Sequence, residues 1–321
     1  TTSDKTTPAQ IGVARWGLAA KSYYHSHNIT PSGTLYGWGR NDFGQVGNGT
    51  TTTPQPTPLD LGPVPVVRTV NGGGGADYTT IQACLNAAQP GDTCLVSSGT
   101  YTEGGVKIVT ARAGTGDFAR IHLKADGLAR VRGIEIRHPF FTMEGFDITG
   151  WTSGYVGSVD VYAEGTDFRF VGNTIHDTAA LVYGLWCTGG NTNTFTKRLV
   201  VQNNTFSNLL RTFISTAGDD VLVEYNLFTN QNGQDMVRVF GENILFRRNV
   251  FKTGVDLEGD GQHPDLFQTF GAVNQKSINI VFEENWIENL ESQICNVNNG
   301  DTNRTVGLRD TVHDLVFRRN V

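Results

Sequence analysis

The sequence predicts an all-β solenoid, and three observations carry that prediction. A short phrase recurs six times between residues 168 and 321, as FRFVGNTI, LVVQNNTF, VLVEYNLF, ILFRRNVF, IVFEENWI and LVFRRNV. Aligned on one letter, it places Asn173, Asn204, Asn226, Asn249, Asn285 and Asn320 at intervals of 31, 22, 23, 36 and 35 residues. Five and three residues before each Asn the side chain is apolar, as in Phe168/Phe170, Leu199/Val201 and Val221/Val223, which is the period of a strand. A repeat of this length built only from strands and corners stacks into a solenoid. The third observation is composition: 39 Gly, 2 Met, 10% aromatic and 17% charged residues suit a turn-rich β protein rather than a helical bundle.

The repeated Asn is expected at a corner. Its short amide tolerates a left-handed backbone and can bond to the Asn one coil away, about 4.8 Å along the axis. A ladder of this kind is structural, not catalytic. On these phrases, residues 66–321 resemble the right-handed parallel β-helix proteins of the pectate-lyase-like superfamily. The resemblance implies a right-handed parallel β-helix that acts on or binds a polysaccharide.

Taken in order, residues 1–62 are of another character. The run GTLYGWGRNDFGQVGNGT, with its Gly-Trp-Gly and Asn-Asp-Phe-Gly-Gln at 37–49, resembles an RCC1-type repeat. A β-propeller needs several such blades, and only about one is present. The segment therefore leans on another surface, is completed by further chain, or stays loosely ordered. Residues 63–77, with four glycines at 72–75, read as a linker turning into the first strand, and residues 78–321 as the β-helix.

Within that helix, Thr80 precedes an apolar-periodic run (Ile81, Cys84, Leu85, Ala88) closed by Pro90 and Gly91, the pattern of a short amphipathic helix. With the strand at 93–97 it resembles the N-terminal cap of β-helix proteins. Cys84 on that helix and Cys94 on the strand it covers are expected to form a disulfide. Cys187 and Cys295, with three coils between them, are expected to stay unpaired. A bridge implies an oxidising compartment, hence an extracellular setting: secreted, cell-surface or virion. The regions at 101–150 are less regular, with Phe146 where later coils carry Asn. Glu144, Asp147 and Asp160 are expected on the solvated outer face.

Aligning GLWCTG, TFISTA, DMVRVF, DLFQTF and SQICNV places Cys187, Ser215, Arg238, Gln268 and Cys295 in one outward column. Trp186, Ile214, Val237, Phe267 and Ile294 form the inward one. Asp235 and Asp265 open adjacent strands, about 5 Å apart, and two stacked carboxylates require a cation or a shared proton. Between them runs GVDLEGDGQHPDLFQ, in which Asp256, Glu258 and Asp260 alternate before Gly261, a partial calcium loop whose twelfth position is Phe267 instead of Glu. These three are the candidate Ca2+ ligands.

Asp235, Arg238, His263 and Asp265 are the candidate catalytic residues, with Ser215 and Gln268 as substrate contacts. In a hydrolase the two Asp would serve as acid and base or nucleophile. In a lyase, calcium or Arg238 would neutralise a uronate while His263 takes the proton. The polygalacturonase set (Asn-Thr-Asp, Gly-His-Gly, Arg-x-Lys) and the pectate lyase Arg-x-Pro-x-x-Arg are missing from the sequence. The alternative class is a non-catalytic adhesin or tail-spike-like domain that binds surface glycans.

A net charge of −6 and the lack of a Lys/Arg run argue against nucleic acid. No apolar run is long enough to span a membrane as a helix. The first and last residues, TTSDKTTPAQ and LVFRRNV, are expected to be cuts within a longer chain. One further column, Val200, Leu222, Leu245, Val281 and Val316, is apolar where alternation faces it outward, so a cover is expected: residues 1–62, the loop at 189–197, or partner copies in a trimer. Monomer and trimer are both compatible with the sequence.

Overall fold

The computed structural model describes residues 17–31, 33–51, 54–152, 156–179, 182–187, 196–232, 234–255, 265–270, 276–291, 293–298 and 312–321. The chain divides into two units, Thr1–Val66 and Val67–Val321.

In the first unit four strands, β1 (Leu18–Lys21), β2 (His25–Ile29), β3 (Thr34–Gly39) and β4 (Gln55–Pro63), form an antiparallel sheet in sequence order. The Gly-Trp-Gly run has a steric reason. A Cβ on Gly37 would lie 2.7 Å from the Val46 carbonyl oxygen, and one on Gly39 would lie 2.4 Å from that of Tyr24. Asn41 is fully buried and closes the following loop: its amide donates to Asn48 Oδ1 and the Thr50 carbonyl, and its Oδ1 accepts from the Val46 N–H.

The second unit is a parallel β-helix. Strand β5 (Val67–Val70) pairs in parallel with β6 (Thr93–Tyr101), so the solenoid begins inside the stretch expected to be a linker. The glycines at 72–75 do not loosen it. Asp77 folds back to accept from the N–H and hydroxyl of Thr69, which pins the turn onto β5. Helix α1 (Ile81–Ala87) caps the end with Ile81, Cys84 and Leu85 buried. Thr80 caps its N-terminus by accepting from the Ala83 N–H, and the Glu103 carboxylate takes two more orphan donors, those of Ile81 and Gln82. Cys84 and Cys94 are disulfide-bonded, with Cα atoms 6.1 Å apart. Cys187 and Cys295 are free thiols.

Beyond the cap the coils stack in register. On one face Val200 pairs with Leu222, Leu222 with Leu245, Leu245 with Val281 and Val281 with Val316. The ladder Asn form a second line. Each Asn donates its backbone N–H and its amide to the Oδ1 of the next, from Asn173 through Asn204, Asn226, Asn249 and Asn285 to Asn320. The same amide also reaches back to a carbonyl of the preceding coil, as from Asn226 to Val201. Phe146 donates only its N–H, to Asn173 Oδ1, and so starts the line.

The left-handed residue at this corner is not the Asn but the one before it: Gly145, Gly172, Asn203, Tyr225, Arg248, Glu284 and Arg319 all have φ between 53° and 82°. The Asn is instead the buried hydrogen-bonding hub. Two further left-handed columns mark the other corners, Asp167, Arg198, Asp220, Asn243, Asn279 and Asp314, then Asp177, Asn208, Asn230, Thr253 and Asn289. Inside, phenylalanines two residues past the Asn stack coil on coil: Phe206 on Phe228 at 5.0 Å and Phe228 on Phe251 at 4.6 Å between centroids.

The outward column of Glu224, Arg247, Glu283 and Arg318 alternates in sign as expected, with Arg247 bonded to Glu224 at 2.7 Å and Arg318 to Glu283 at 2.6 Å. The apolar column beside it faces outward too; Val200, Leu222, Leu245 and Val281 are half-buried and Val316 is exposed.

Candidate glycan-binding strip

The outward face of a second set of parallel strands carries the site. Its strands are Ile134–Ile136, Val156–Val161, Val182–Cys187, Ile214–Asp219, the first half of Val237–Arg247, Asp265–Phe270 and Gln293–Asn298. Register runs Glu135 to Asp160 to Trp186 to Ser215 to Arg238 to Gln268 to Asn296. Six rung steps make a strip roughly 29 Å long at about 4.8 Å each.

This register corrects the expected columns at both ends. Leu185, not Trp186, stands with Ile214, Val237 and Phe267, and Cys295, not Ile294, continues that inward column. Trp186 and Asn296 therefore take the outward places assigned to Cys187 and Cys295. Cys187 is buried, and burial pushes its thiol up to about 12, which removes it as a nucleophile. Burial and the nearby Asp265 charge raise the Cys295 thiol as well.

At four of these strands residues i and i+3 meet. Asp235 accepts from Arg238 Nε, Asp265 accepts from Gln268 Nε2 at 3.2 Å, Tyr183 stacks on Trp186 at 5.8 Å and 15°, and Asp160 accepts from the Gly157 N–H at 2.7 Å. Gly184 leaves no room for a side chain, since a Cβ there would lie 2.4 Å from the Phe213 carbonyl oxygen.

The two Asp that sequence reasoning singled out do stand on neighbouring rungs, and Asp235 Oδ1 accepts from the Asp265 backbone N–H at 3.0 Å. Of the two, Asp235 pairs with the cation Arg238, and Asp265 accepts from the Gln268 amide. Both carboxylates are buried, at 3% and 0% exposure, whereas Arg238 and Gln268 reach the surface. Ser215 lies between Trp186 and Arg238 in the column. His263, Asp256, Glu258 and Asp260 lie outside the described residues, and among those described no cluster of three or more His, Cys, Asp or Glu could hold a metal.

The strip also contains residues that the sequence reading passed over. Arg211 lies 4.4 Å over the Tyr183 ring and donates to its hydroxyl at 2.8 Å. Lys107 is buried against Asp160 and the Gly157 carbonyl, with its ammonium 4.9 Å over the Trp151 ring. Asp160 is thus a buried ion-pair member, not a solvated one. Burial raises its carboxyl above the usual range, and the Lys107 charge opposes that shift. Asp147 is likewise buried, bound by Arg130 and His176, and Glu144 pairs with Lys124. Arg137 sits 3.7 Å over Tyr162 and bonds Glu135 at 2.8 Å. The signal for the aromatic pair was present: placing Leu185 in the Ile-Val-Phe column turns Trp186 outward.

The family model for the Regulator of chromosome condensation (RCC1) repeat matches residues 32–80. Curated proteins give no match. Among solved structures, an alginate lyase from Paenibacillus sp. str. FPU-7 aligns at 15% identity and a TM-score of 0.38, covering 73% of this chain and 98% of the other. A DFA-IIIase mutant from Arthrobacter chlorophenolicus A6 in complex with DFA-III aligns at 12% and 0.41, covering 71% of this chain. This chain spans only 54% of that protein. A Family 28 exopolygalacturonase from Yersinia enterocolitica aligns at 10% and 0.38, covering 92% of this chain and 71% of the other. Likeness this low carries no argument about chemistry.

Proposed function

We propose that the β-helix is an extracellular carbohydrate-binding unit that lays a polysaccharide across the rungs of the strip. The observation that carries this reading is the half-exposed Trp186, stacked on the buried Tyr183 and continued along the axis by the part-exposed Arg238, Gln268 and Asn296, with Ser215 nearly buried between Trp186 and Arg238. A sugar ring has an apolar C–H face and a rim of hydroxyls. An aromatic face followed by fixed hydrogen-bonding groups matches both. Parallel strands hold these groups rigidly, so little conformational entropy is lost when a stiff glycan docks.

Asp235 and Asp265 hold Arg238 and Gln268 in place in this account. Cleavage by the pair would need a carboxyl oxygen within reach of the glycosidic bond, and both side chains lie beneath the surface, committed to the strand ends. The buried Cys84–Cys94 bridge supports an oxidising compartment. No helix among the described residues is long and apolar enough to cross a membrane.

The test is a polysaccharide panel assayed both for binding, by affinity electrophoresis, and for cleavage, by reducing-end release and by the ultraviolet absorbance of unsaturated ends. Binding without cleavage is expected. Cleavage that Asp265→Asn abolishes in a folded variant would restore the catalytic pair.

A further inference from the structure

We infer that Arg211 is a positioning residue of the strip: it fixes the Trp186 ring through Tyr183 and does not itself touch the glycan. The inference rests on the binding reading above and adds the group that prepares its platform. A half-exposed indole has several rotamers open to it, and freezing one of them on binding costs affinity. Trp186 has that choice made in advance, because its ring lies against Tyr183, 5.8 Å away and 15° from parallel. Tyr183 is buried and is held in turn from the next coil. There the Arg211 guanidinium lies 4.4 Å from the Tyr183 ring centroid, and its Nη2 donates to the Tyr183 hydroxyl at 2.8 Å.

The backbone explains why these three groups meet. Gly184 donates its N–H to the Thr212 carbonyl at 3.1 Å and Leu185 donates to that of Phe213 at 2.9 Å, which sets Arg211 one coil over from Tyr183. Phe213 is anchored in turn, its N–H on the Met236 carbonyl at 3.0 Å. Gly184 lets the two coils close up, because any Cβ there would collide with the Phe213 carbonyl oxygen. A cation over the face of a phenol ring is attracted by the ring quadrupole, and the hydrogen bond at the ring's edge stops the ring from sliding. Arginine suits this place better than lysine, since its planar fork lies on the ring and bonds the hydroxyl together. The chain of contacts runs from a pinned backbone through Arg211 and Tyr183 to the one ring that meets the sugar.

The experiment labels the full chain with fluorotryptophan and assigns the Trp186 fluorine resonance by its loss in Trp186→Phe. Arg211→Gln should shift and sharpen that resonance while leaving those of the other Trp in place, and Arg211→Lys should fall between wild type and Arg211→Gln. Folding of each variant is checked by circular dichroism, and Arg211→Lys, the milder change, carries the test should Arg211→Gln lose the fold. Affinity electrophoresis against xylan, β-glucan, alginate and polygalacturonate then reads Kd. Arg211→Gln should weaken binding by about three- to tenfold, the scale of one cation–π contact, and should have no effect on a Trp186→Ala background. A Trp186 resonance that stays in place in the folded Arg211 variants would overturn the inference even where binding depends on Trp186. A further loss on the Trp186→Ala background would show that Arg211 touches the glycan, and would overturn it too. Binding indifferent to Trp186, or none by the wild type, would instead overturn the binding reading and with it the part of Arg211 in binding.

Discussion

Asn226→Ala is the sharpest perturbation of the solenoid. Asn226 is 2% exposed, and its side chain makes five hydrogen bonds. Its amide donates to the carbonyls of Val201 and Glu224 and to Asn249 Oδ1, and its own Oδ1 accepts from the N–H and the amide of Asn204, all at 2.9–3.0 Å. Truncation leaves the Asn204 N–H and the Val201 carbonyl buried without this partner. At about 1–3 kcal/mol for each orphaned group the loss is about 4 kcal/mol. With about 2–4 °C per kcal/mol for a unit of this size, Tm should fall by about 10 °C. Asn320→Ala, at the half-buried end of the line, should cost only about 1 kcal/mol because water can replace its bonds. Thermal melts followed by far-ultraviolet circular dichroism read both variants. Equal, small shifts for the two would refute the view that the ladder is a buried hydrogen-bond line. Glycan binding by folded Asn226→Ala should be unchanged, since the line is far in register from the strip.

His176 supplies a pH dependence. Burial opposes its charge, but bonds to Asp177 at 2.7 Å and Asp147 at 2.6 Å outweigh burial and raise its pKa above 6.5. Its contribution is therefore complete below 6.5 and fades as pH rises through the raised folded value, so Tm should decline as pH rises above 6.5 and His176→Gln should flatten that decline; a wild-type profile identical to the variant's would remove the idea. If Asp256, Glu258 and Asp260 hold calcium, as their spacing proposes, EDTA should lower Tm by roughly 5–10 °C and added calcium should restore it, whereas no shift would end the proposal.

Much of the solenoid was legible because its chemistry repeats. The Asn line, the alternating Glu224–Arg247–Glu283–Arg318 column and the cap with its disulfide each follow from local rules applied coil after coil. The left-handed residue was misplaced by one position, since Asn tolerates that conformation but here serves better as a buried donor and acceptor. The strip was only partly legible. The segments GLWCTG and SQICNV align one residue out of register with the strands beside them when apolar letters alone are matched, and that slip sent Trp186 inward. Lys107 and Asp160 meet across 53 residues, a pairing that no local pattern signals. Glycines 72–75 read as slack because the bonds of Asp77 to Thr69, eight residues away, are tertiary information.

The central claim is tested most directly by a crystal structure of the chain with the best-bound oligosaccharide of the panel. The account predicts a sugar ring face to face with Trp186 and the remaining rings running along Ser215, Arg238 and Gln268. An oligosaccharide seated on the apolar column, or on any face away from Trp186, would contradict it.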